Sequence, residues 1–302
     1  MRFVSPPLLG PGARIALIAP AGPLGGDGEL ERAVENTRAL DWEPVPGLHV
    51  RDRLDYLAGT DAHRLSDLNR AIADPAIDGI WCVRGGYGVL RLLEMVDFET
   101  LRRTPKAVIG FSDITALHAA ICTKAGVISY HGPTARGNLS AFSRASLKRA
   151  VTCGKDSAGA VEGAEVLVGG AARGRLAGGN LAVLMALAGT SYFPDLGGSI
   201  LVLEDVNEPV YRIDRMLRHL RLTGALSGVA GLVFGAFTER GDAADSAPLA
   251  RVLRETAEAV GVPCLAGAPI GHIDEQWTLP IGAVAELNAT DRNLTIDVTV
   301  NA

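Results

Sequence analysis

The feature that most constrains this chain is the alternation in its first half. Apolar runs that close on glycine or proline are each followed by a stretch with helical spacing. "RIALIAPAG" (14–22) reads as a buried strand and "GELERAVENTRAL" (28–40) as a helix. "AHRLSDLNRAIAD" (62–74) places Leu65, Leu68 and Ile72 on one helical face. "IDGIWCVR" then predicts a strand and "GVLRLLEMV" a helix; "KAVIGFS" predicts a strand, "ITALHAAICTKAG" a helix and "GVISYHGPT" a strand. Crossovers of this length imply parallel strands in a sheet covered on both faces.

Between about 140 and 175 the alternation lapses into sequence rich in Gly, Ala and Ser. A mixed α+β unit follows. Its expected elements are a helix over 178–190 with Asn180 near its cap, the strand "SILVLEDV", the helix "RIDRMLRHLRLTG" and the strand "GVAGLVFGAF". A helix from about Ala247 to Val260 and a hairpin at Asn293-Leu294 complete it. The fold class is α/β, with an N-terminal parallel-sheet domain over 1–145, a linker over 146–170, and a smaller β-rich α+β domain over 171–302.

Composition narrows the function classes. Of 302 residues, 48% are apolar and 21% charged, as a soluble chain with a real core requires. A net charge of -5 leaves no basic footprint for nucleic acid. No apolar run suits a bilayer, and Pro6, Pro7 and Pro11 break the first apolar stretch, so neither membrane nor export is expected and the location is cytoplasmic. Cys82, Cys122, Cys153 and Cys264 lie far apart, and there is no H-E-x-x-H, so neither a metal nor another cofactor is expected.

Ligands of open α/β sheets bind beyond the carboxyl ends of the strands. "RGGYG" (84–88), "GFSD" (110–113) and "SYHGPT" (129–134) fall there. Ser112 stands either at a helix cap or at a nucleophile elbow, where the Asp113 N–H would face the same point. G-x-S-x-G fails, because Ile114 replaces the second glycine. Gly85 and Gly86 either turn backbone N–H groups toward a ligand or form a plain turn. Gly86 and Gly88 fit a dinucleotide fingerprint, but it is not completed, since Arg91 occupies the third glycine position. Among the six histidines, His131 at a strand end and His272 in the loop "PIGHIDEQWTLPIG" are candidate bases, and spacing does not choose between them. His49, His63 and His219 read as surface residues and His118, inside the helix after Ser112, as packing or half-exposed. Glu204 and Asp205, at the mouth of a strand, are either the acid partner or solvated ends.

In this order, "ALIAPAGP", "VRGGYGVLRLL", "IGFSDITALH", "YHGP", "GRLAGGNLAVLMALAGT", "LVLEDVNEPVYRIDRML", "GLVFGAF" and "PIGHIDEQWTLPIG" resemble the serine LD-carboxypeptidase family. Its members include murein tetrapeptide carboxypeptidases and microcin C immunity peptidases. The resemblance implies Ser112 as nucleophile, Glu204 as acid and His272, rather than His131, as base. It implies a flavodoxin-like N-terminal domain, a β-rich C-terminal domain, a triad closed across the cleft and a homodimer. The substrate it implies is a small peptide, the murein tetrapeptide, which loses its C-terminal D-alanine by cleavage of an L,D-amide. An immunity-type peptidase acting on a peptide–nucleotide or acylated amine, and a non-catalytic binding module on the same scaffold, are the alternatives. The Asp113 N–H and one from Gly85 or Gly86 would hold the oxyanion. Arg84 is the candidate for the free carboxylate, because guanidinium pairs with carboxylates bidentately; otherwise it is a surface arginine.

Overall fold

The computed structural model describes residues 3–26, 28–238 and 247–298. Strands β1 (Arg14–Ile18), β2 (Glu43–Pro46), β3 (Gly79–Cys82), β4 (Ala107–Gly110) and β5 (Ser129–His131) form a parallel sheet in the order 2-1-3-4-5. This is the flavodoxin-like order, whose ligand side lies at the strands' carboxyl ends. The crossovers carry helices α1 (Gly28–Arg38), α2 (Asp61–Ala73), α3 (Phe98–Arg103) and α4 (Thr115–Ala120). β3 and β4 are buried throughout, which is why their sequences are continuously apolar.

In this first sheet and its crossovers, two features depart from the sequence reading. β2 carries Pro44 and Pro46, so it has no strand signature, yet it sits at the sheet edge where missing N–H groups are tolerated. "GVLRLLEMV" is two 3₁₀ turns, Val89–Arg91 and Leu93–Met95, in place of one helix. Gly88, at φ 129°, sets the first turn, and the Asp97 cap of α3 closes the segment before an α-helix can propagate.

After α5 (Ala141–Lys148), a second sheet contains β6 (Glu165–Val168), β7 (Ala171–Asn180), β8 (Ser199–Val206), β9 (Gly231–Thr238) and β10 (Cys264–Ala266). β7 to β10 are parallel, with α6 (Leu181–Ala186), α7 (Val210–Leu222) and α8 (Ala247–Val260) in the crossovers. β11 (Leu279–Ile281) pairs antiparallel with β5 and so joins the first sheet. β12 (Val284–Asn288) and β13 (Asn293–Asp297) return to the second as the expected hairpin. The sequence 178–190 is not one helix: Gly178, Gly179 and Asn180 are the last residues of β7, and only Leu181–Ala186 is helical. "AARGRLAGGN" lacks β-branched residues, so its strand character comes from pairing alone. Among the described residues, no helix is long and apolar enough to cross a membrane.

The two sheets share one apolar cluster, running from Ile15 and Trp81 to Leu176, Val202 and Ile270. Their polar seam is narrow. The Asn180 N–H donates to Thr115 Oγ1 at 3.0 Å, tying the end of β7 to the first turn of α4. A strap over 267–278 spans the same seam. It follows β10 and is tied to β9 by the Ala236 N–H bond to the Ile270 carbonyl, 2.9 Å. Ser143 and Ser146 of α5 hold its far end: their hydroxyls accept from the N–H groups of Gln276 and Thr278 at 2.9 and 2.8 Å.

Close approach at the seam requires glycine at 179. Its φ is 129°, and a Cβ there would lie 2.7 Å from Thr115 Oγ1 and 3.1 Å from His131 Nδ1. Gly179→Ala is expected to cost about 2–4 kcal/mol of stability, combining strain with overlap. Gly189→Ala, also at positive φ but with nothing within 4 Å, should cost only about 1 kcal/mol. Denaturant unfolding of the two variants measures the contrast.

Candidate active site

β4 ends at Gly110, where a Cβ would press on the Ile114 side chain at 3.0 Å and on Cys82 Cβ at 3.1 Å. Phe111 is extended, and Ser112 then takes φ 65°, a left-handed conformation that costs a serine on the order of 1–3 kcal/mol. The 3₁₀ turn Ser112–Ile114 leads into α4, and neither element has a side-chain cap. Ser112 is therefore not a helix cap; it occupies a strained strand–turn–helix elbow, the geometry that exposes a hydroxyl. His118 secures the turn from below. Its Nε2–H donates to the Gly110 carbonyl at 2.8 Å, which leaves Nδ1 to accept from the Ser129 hydroxyl at 2.8 Å. Burial pushes His118 down to about 4, so this bridge is a neutral one.

The glycine loop lies against the elbow. A Cβ on Gly85 would be 2.8 Å from Ser112 Cβ and 3.1 Å from its Oγ, so only glycine lets the backbone pass this close. The Gly85 carbonyl accepts from the Gly22 N–H at 3.0 Å, and a Cβ on Gly86 would meet Gly22 Cα at 2.9 Å. Asp113 fastens loop to elbow with its side chain, Oδ2 accepting from the Val89 N–H at 2.9 Å. Burial raises its carboxyl to about 6, against the lowering effects of the Val89 and Gly88 N–H groups and of Arg64.

Facing this edge is the end of β8. Glu204 is fully buried and Asp205 nearly so, but they have different partners. Asp205 accepts from Asn180 Nδ2 at 3.0 Å and from the Ala182 N–H at 2.9 Å, which holds the start of α6. Burial raises it to about 6, opposed by these bonds and by the Val206 N–H. Glu204 Oε2 instead accepts from His272 Nδ1 at 2.9 Å. The β8–β9 register shifts at this point, between Leu203 and Asp205. Beside it, Gly235 and Ala236 of β9 receive the strap at Ile270; a Cβ on Gly235 would lie 2.6 Å from the Ile270 carbonyl oxygen. Gly271, at φ 110°, leaves room for the carboxylate, which a Cβ would approach to 2.6 Å.

The imidazole of His272 also meets the elbow. Its ring centroid is 4.7 Å from that of Phe111, the residue immediately before Ser112. With Nδ1–H donated to Glu204, the neutral ring keeps Nε2 as an acceptor. His131 is fully enclosed at the seam, and neither of its ring nitrogens has a hydrogen-bond partner among the described residues. Burial pushes it down to about 3, with further lowering from His118 and His272, so it is neutral and has no carboxylate to orient it.

Arg84 is half-buried and donates to the Pro23 carbonyl. Burial lowers it, as does the repulsion of Arg136 and Arg53, while Glu29 raises it. Arg136 pairs with Glu29, and Arg53 donates to the Leu24 carbonyl. Sequence reasoning missed Arg53 and Arg136, because positions so distant in the chain carry no shared pattern. His49 and His63 prove to be neighbours, stacked 4.0 Å apart between ring centroids.

A doubly wound sheet with a strained serine elbow, faced by a histidine–carboxylate pair, is a hydrolase scaffold, and sequence comparison places the chain among the peptidases. Residues 15–132 match the family model described as the LD-carboxypeptidase N-terminal domain, and 173–287 match the C-terminal domain model. The chain belongs to the LD-carboxypeptidase family. A Streptomyces coelicolor relative is 41% identical, over 98% of this chain and 96% of its own length. The murein tetrapeptide carboxypeptidase of Pseudomonas aeruginosa is 38% identical, over 91% and 92% of the two chains. Among solved structures, the muramoyltetrapeptide carboxypeptidase of Oxalobacter formigenes is similar with a TM-score of 0.81 at 30% identity, over 95% of this chain and 98% of that one. An MccF-like protein of Bacillus anthracis gives 0.88 at 25% identity, over 98% and 99%.

The buried Asp113 gives a stability prediction. The folded chain keeps its proton to about 6, whereas the unfolded chain releases it near the ordinary carboxyl value of 3.8. The folded state thus binds more protons in that window, and this group's contribution to stability is lost as pH rises through it. Asp113→Asn removes the titration. Variant stability minus wild-type stability should increase by about 2–3 kcal/mol between about pH 4 and pH 7. Urea unfolding at the two pH values measures it.

Proposed function

We propose that the chain is a serine LD-carboxypeptidase that releases C-terminal D-alanine from a murein tetrapeptide. The observation that carries this reading is the bond between His272 Nδ1 and the buried Glu204, set against Phe111 at the root of the Ser112 elbow. The murein-peptide carboxypeptidases among the relatives support the substrate class. The region 1–145 supplies Ser112, and 171–302 supplies Glu204 and His272. The reading includes a homodimer in the cytoplasm, as the family resemblance implies.

In this mechanism His272 Nε2 takes the proton of Ser112 as Oγ attacks the carbonyl of the residue before D-alanine. Base catalysis of this kind contributes on the order of 10² to 10⁴ in rate. Glu204 holds the Nδ1–H and offsets the imidazolium charge that forms. The N–H of Asp113 and one from Gly85 or Gly86 receive the oxyanion, each donor being worth about 3–4 kcal/mol. His272 then protonates the departing amine of D-alanine. Water, activated by the same imidazole, releases the acyl group. Arg84 receives the terminal carboxylate of the peptide.

A second reading, an immunity-type peptidase cleaving an acylated amine on a nucleotide, draws on the similarity to the MccF-like fold. Presenting both substrate types to the same preparation separates the two by which amide is cut.

Ser112→Ala should lower D-alanine release by about 10³-fold or more without unfolding the chain. Retained activity would remove Ser112 as nucleophile. Glu204→Gln should cost about 10² to 10⁴ in turnover. Asp205→Asn should cost far less, because Asp205 is engaged with Asn180 and Ala182. Chromatographic quantitation of free D-alanine ranks all three.

A further inference from the structure

Among the described residues, one cluster of metal-ligating groups stands apart from the candidate active site. Asp52, His49 and His63 bring their donor atoms within 4.8 Å of one another. Asp52 Oδ2 lies 2.6 Å from His63 Nδ1 and 3.4 Å from His49 Nδ1. The two imidazoles are stacked, their planes 18° apart, so both present Nδ1 to the same carboxylate oxygen.

The backbone holds all three positions. His49 and Asp52 close a turn through the Asp52 N–H bond to the His49 carbonyl, 2.9 Å. The N–H of His49 is anchored on Asp67 Oδ2 at 2.9 Å. His63 lies in the first turn of α2, where its N–H caps onto Thr60 Oγ1 at 3.2 Å. Gly59, at φ 91°, packs so tightly over Asp52 that a Cβ would meet Asp52 Cβ at 2.7 Å. The arginines flanking Asp52 are engaged elsewhere: Arg51 with Glu31 at 2.5 Å, and Arg53 with the Leu24 carbonyl. The carboxylate therefore faces two imidazoles, with no guanidinium bonded to it among the described residues.

We propose that His49, Asp52 and His63 form a binding site for a transition-metal dication of the zinc class. Two imidazoles and a carboxylate suit such an ion and do not suit magnesium or calcium, which take oxygen ligands. With zinc–ligand bonds of about 2.0–2.1 Å, neighbouring donors of a tetrahedron lie about 3.4 Å apart. His49 and Asp52 already stand at that separation. His63 and Asp52 are closer, as a shared proton requires; when a metal replaces that proton they must part by about 0.8 Å, and one imidazole must turn out of the stack so that the ion lies in both ring planes. His63 and Asp52 are 47% and 35% exposed as side chains, which leaves room for this movement and for water to complete the coordination.

The site would act on the loop that it closes. That loop carries Arg53, and it carries Tyr56, whose ring stands edge-on to Tyr87 of the glycine loop at 5.5 Å. A bound ion would join this loop to α2 and stiffen the wall beside Gly85 and Gly86.

The test uses the full chain, free of any affinity tag and stripped of metal, with Cys153 replaced by Ser throughout so that its exposed thiol does not compete. ZnCl₂ is titrated calorimetrically, and thermal unfolding is followed with and without the metal. Saturable uptake of one equivalent, accompanied by a rise in Tm, is expected; MgCl₂ should give neither. His49→Gln, His63→Gln and Asp52→Asn should each weaken zinc binding by about tenfold or more. The titration of the chain with all three ligands intact needs no change at the site, so absence of saturable binding overturns the proposal directly. Undiminished affinity in the His49→Gln/His63→Gln double variant overturns it as well, by placing the ion elsewhere. Neither result bears on D-alanine release, so this inference and the peptidase reading fail separately.

Discussion

Much of this molecule is organised around a carboxylate with no access to water. A buried Glu204 is costly unless something answers its charge, and His272 is the group that does so. The imidazole reaches it because the 267–278 strap crosses from the second sheet to the edge of the first. Gly235 and Gly271 are what that crossing requires: at each, a Cβ would collide with the Ile270 carbonyl or with the carboxylate itself. The irregular β8–β9 pairing at the same level places the acid, the strap and the adjoining strand in one small space.

The nucleophile side is held by a different set of constraints. Ser112 keeps a left-handed backbone because its surroundings fix it from three directions. His118 binds the Gly110 carbonyl, Asp113 binds the turn after the glycine loop, and Gly85 lies in contact with the serine side chain. The buried histidines and carboxylates nearby differ in electrostatic character. His118 and His131 are kept neutral by burial, while Asp113 and Asp205 receive backbone N–H bonds that partly offset the same penalty. Glu204 alone among these acids is matched to an imidazole, and it is opposite the elbow.

Much of the fold could be read from the chain. The parallel core strands are continuous apolar runs because both their faces are covered, and the helices that cross between them show one-sided spacing. The missed strands share a cause. β2 is built of prolines at an edge, β7 of small residues, and β11 is only three residues long. Each is a strand because a neighbouring backbone pairs with it, and pairing leaves little mark on composition. Asn180 was legible as a cap, and the Asn293 hairpin as a turn, since both depend on local side-chain chemistry.

The candidate site divides in the same way. Residue pattern located the strand ends, the glycine loop and the serine joint, and resemblance of ordered motifs selected Glu204 and His272. Spacing could not choose between His131 and His272, or separate Glu204 from Asp205. Tertiary structure distinguished their surroundings: consecutive residues of β8 reach different neighbours, so one acid caps a helix while the other meets a ring brought across from a remote loop. Periodicity is a property of one segment and is written in that segment's sequence. A contact between residues 68 positions apart depends on the packing of both sheets, and no local pattern encodes it.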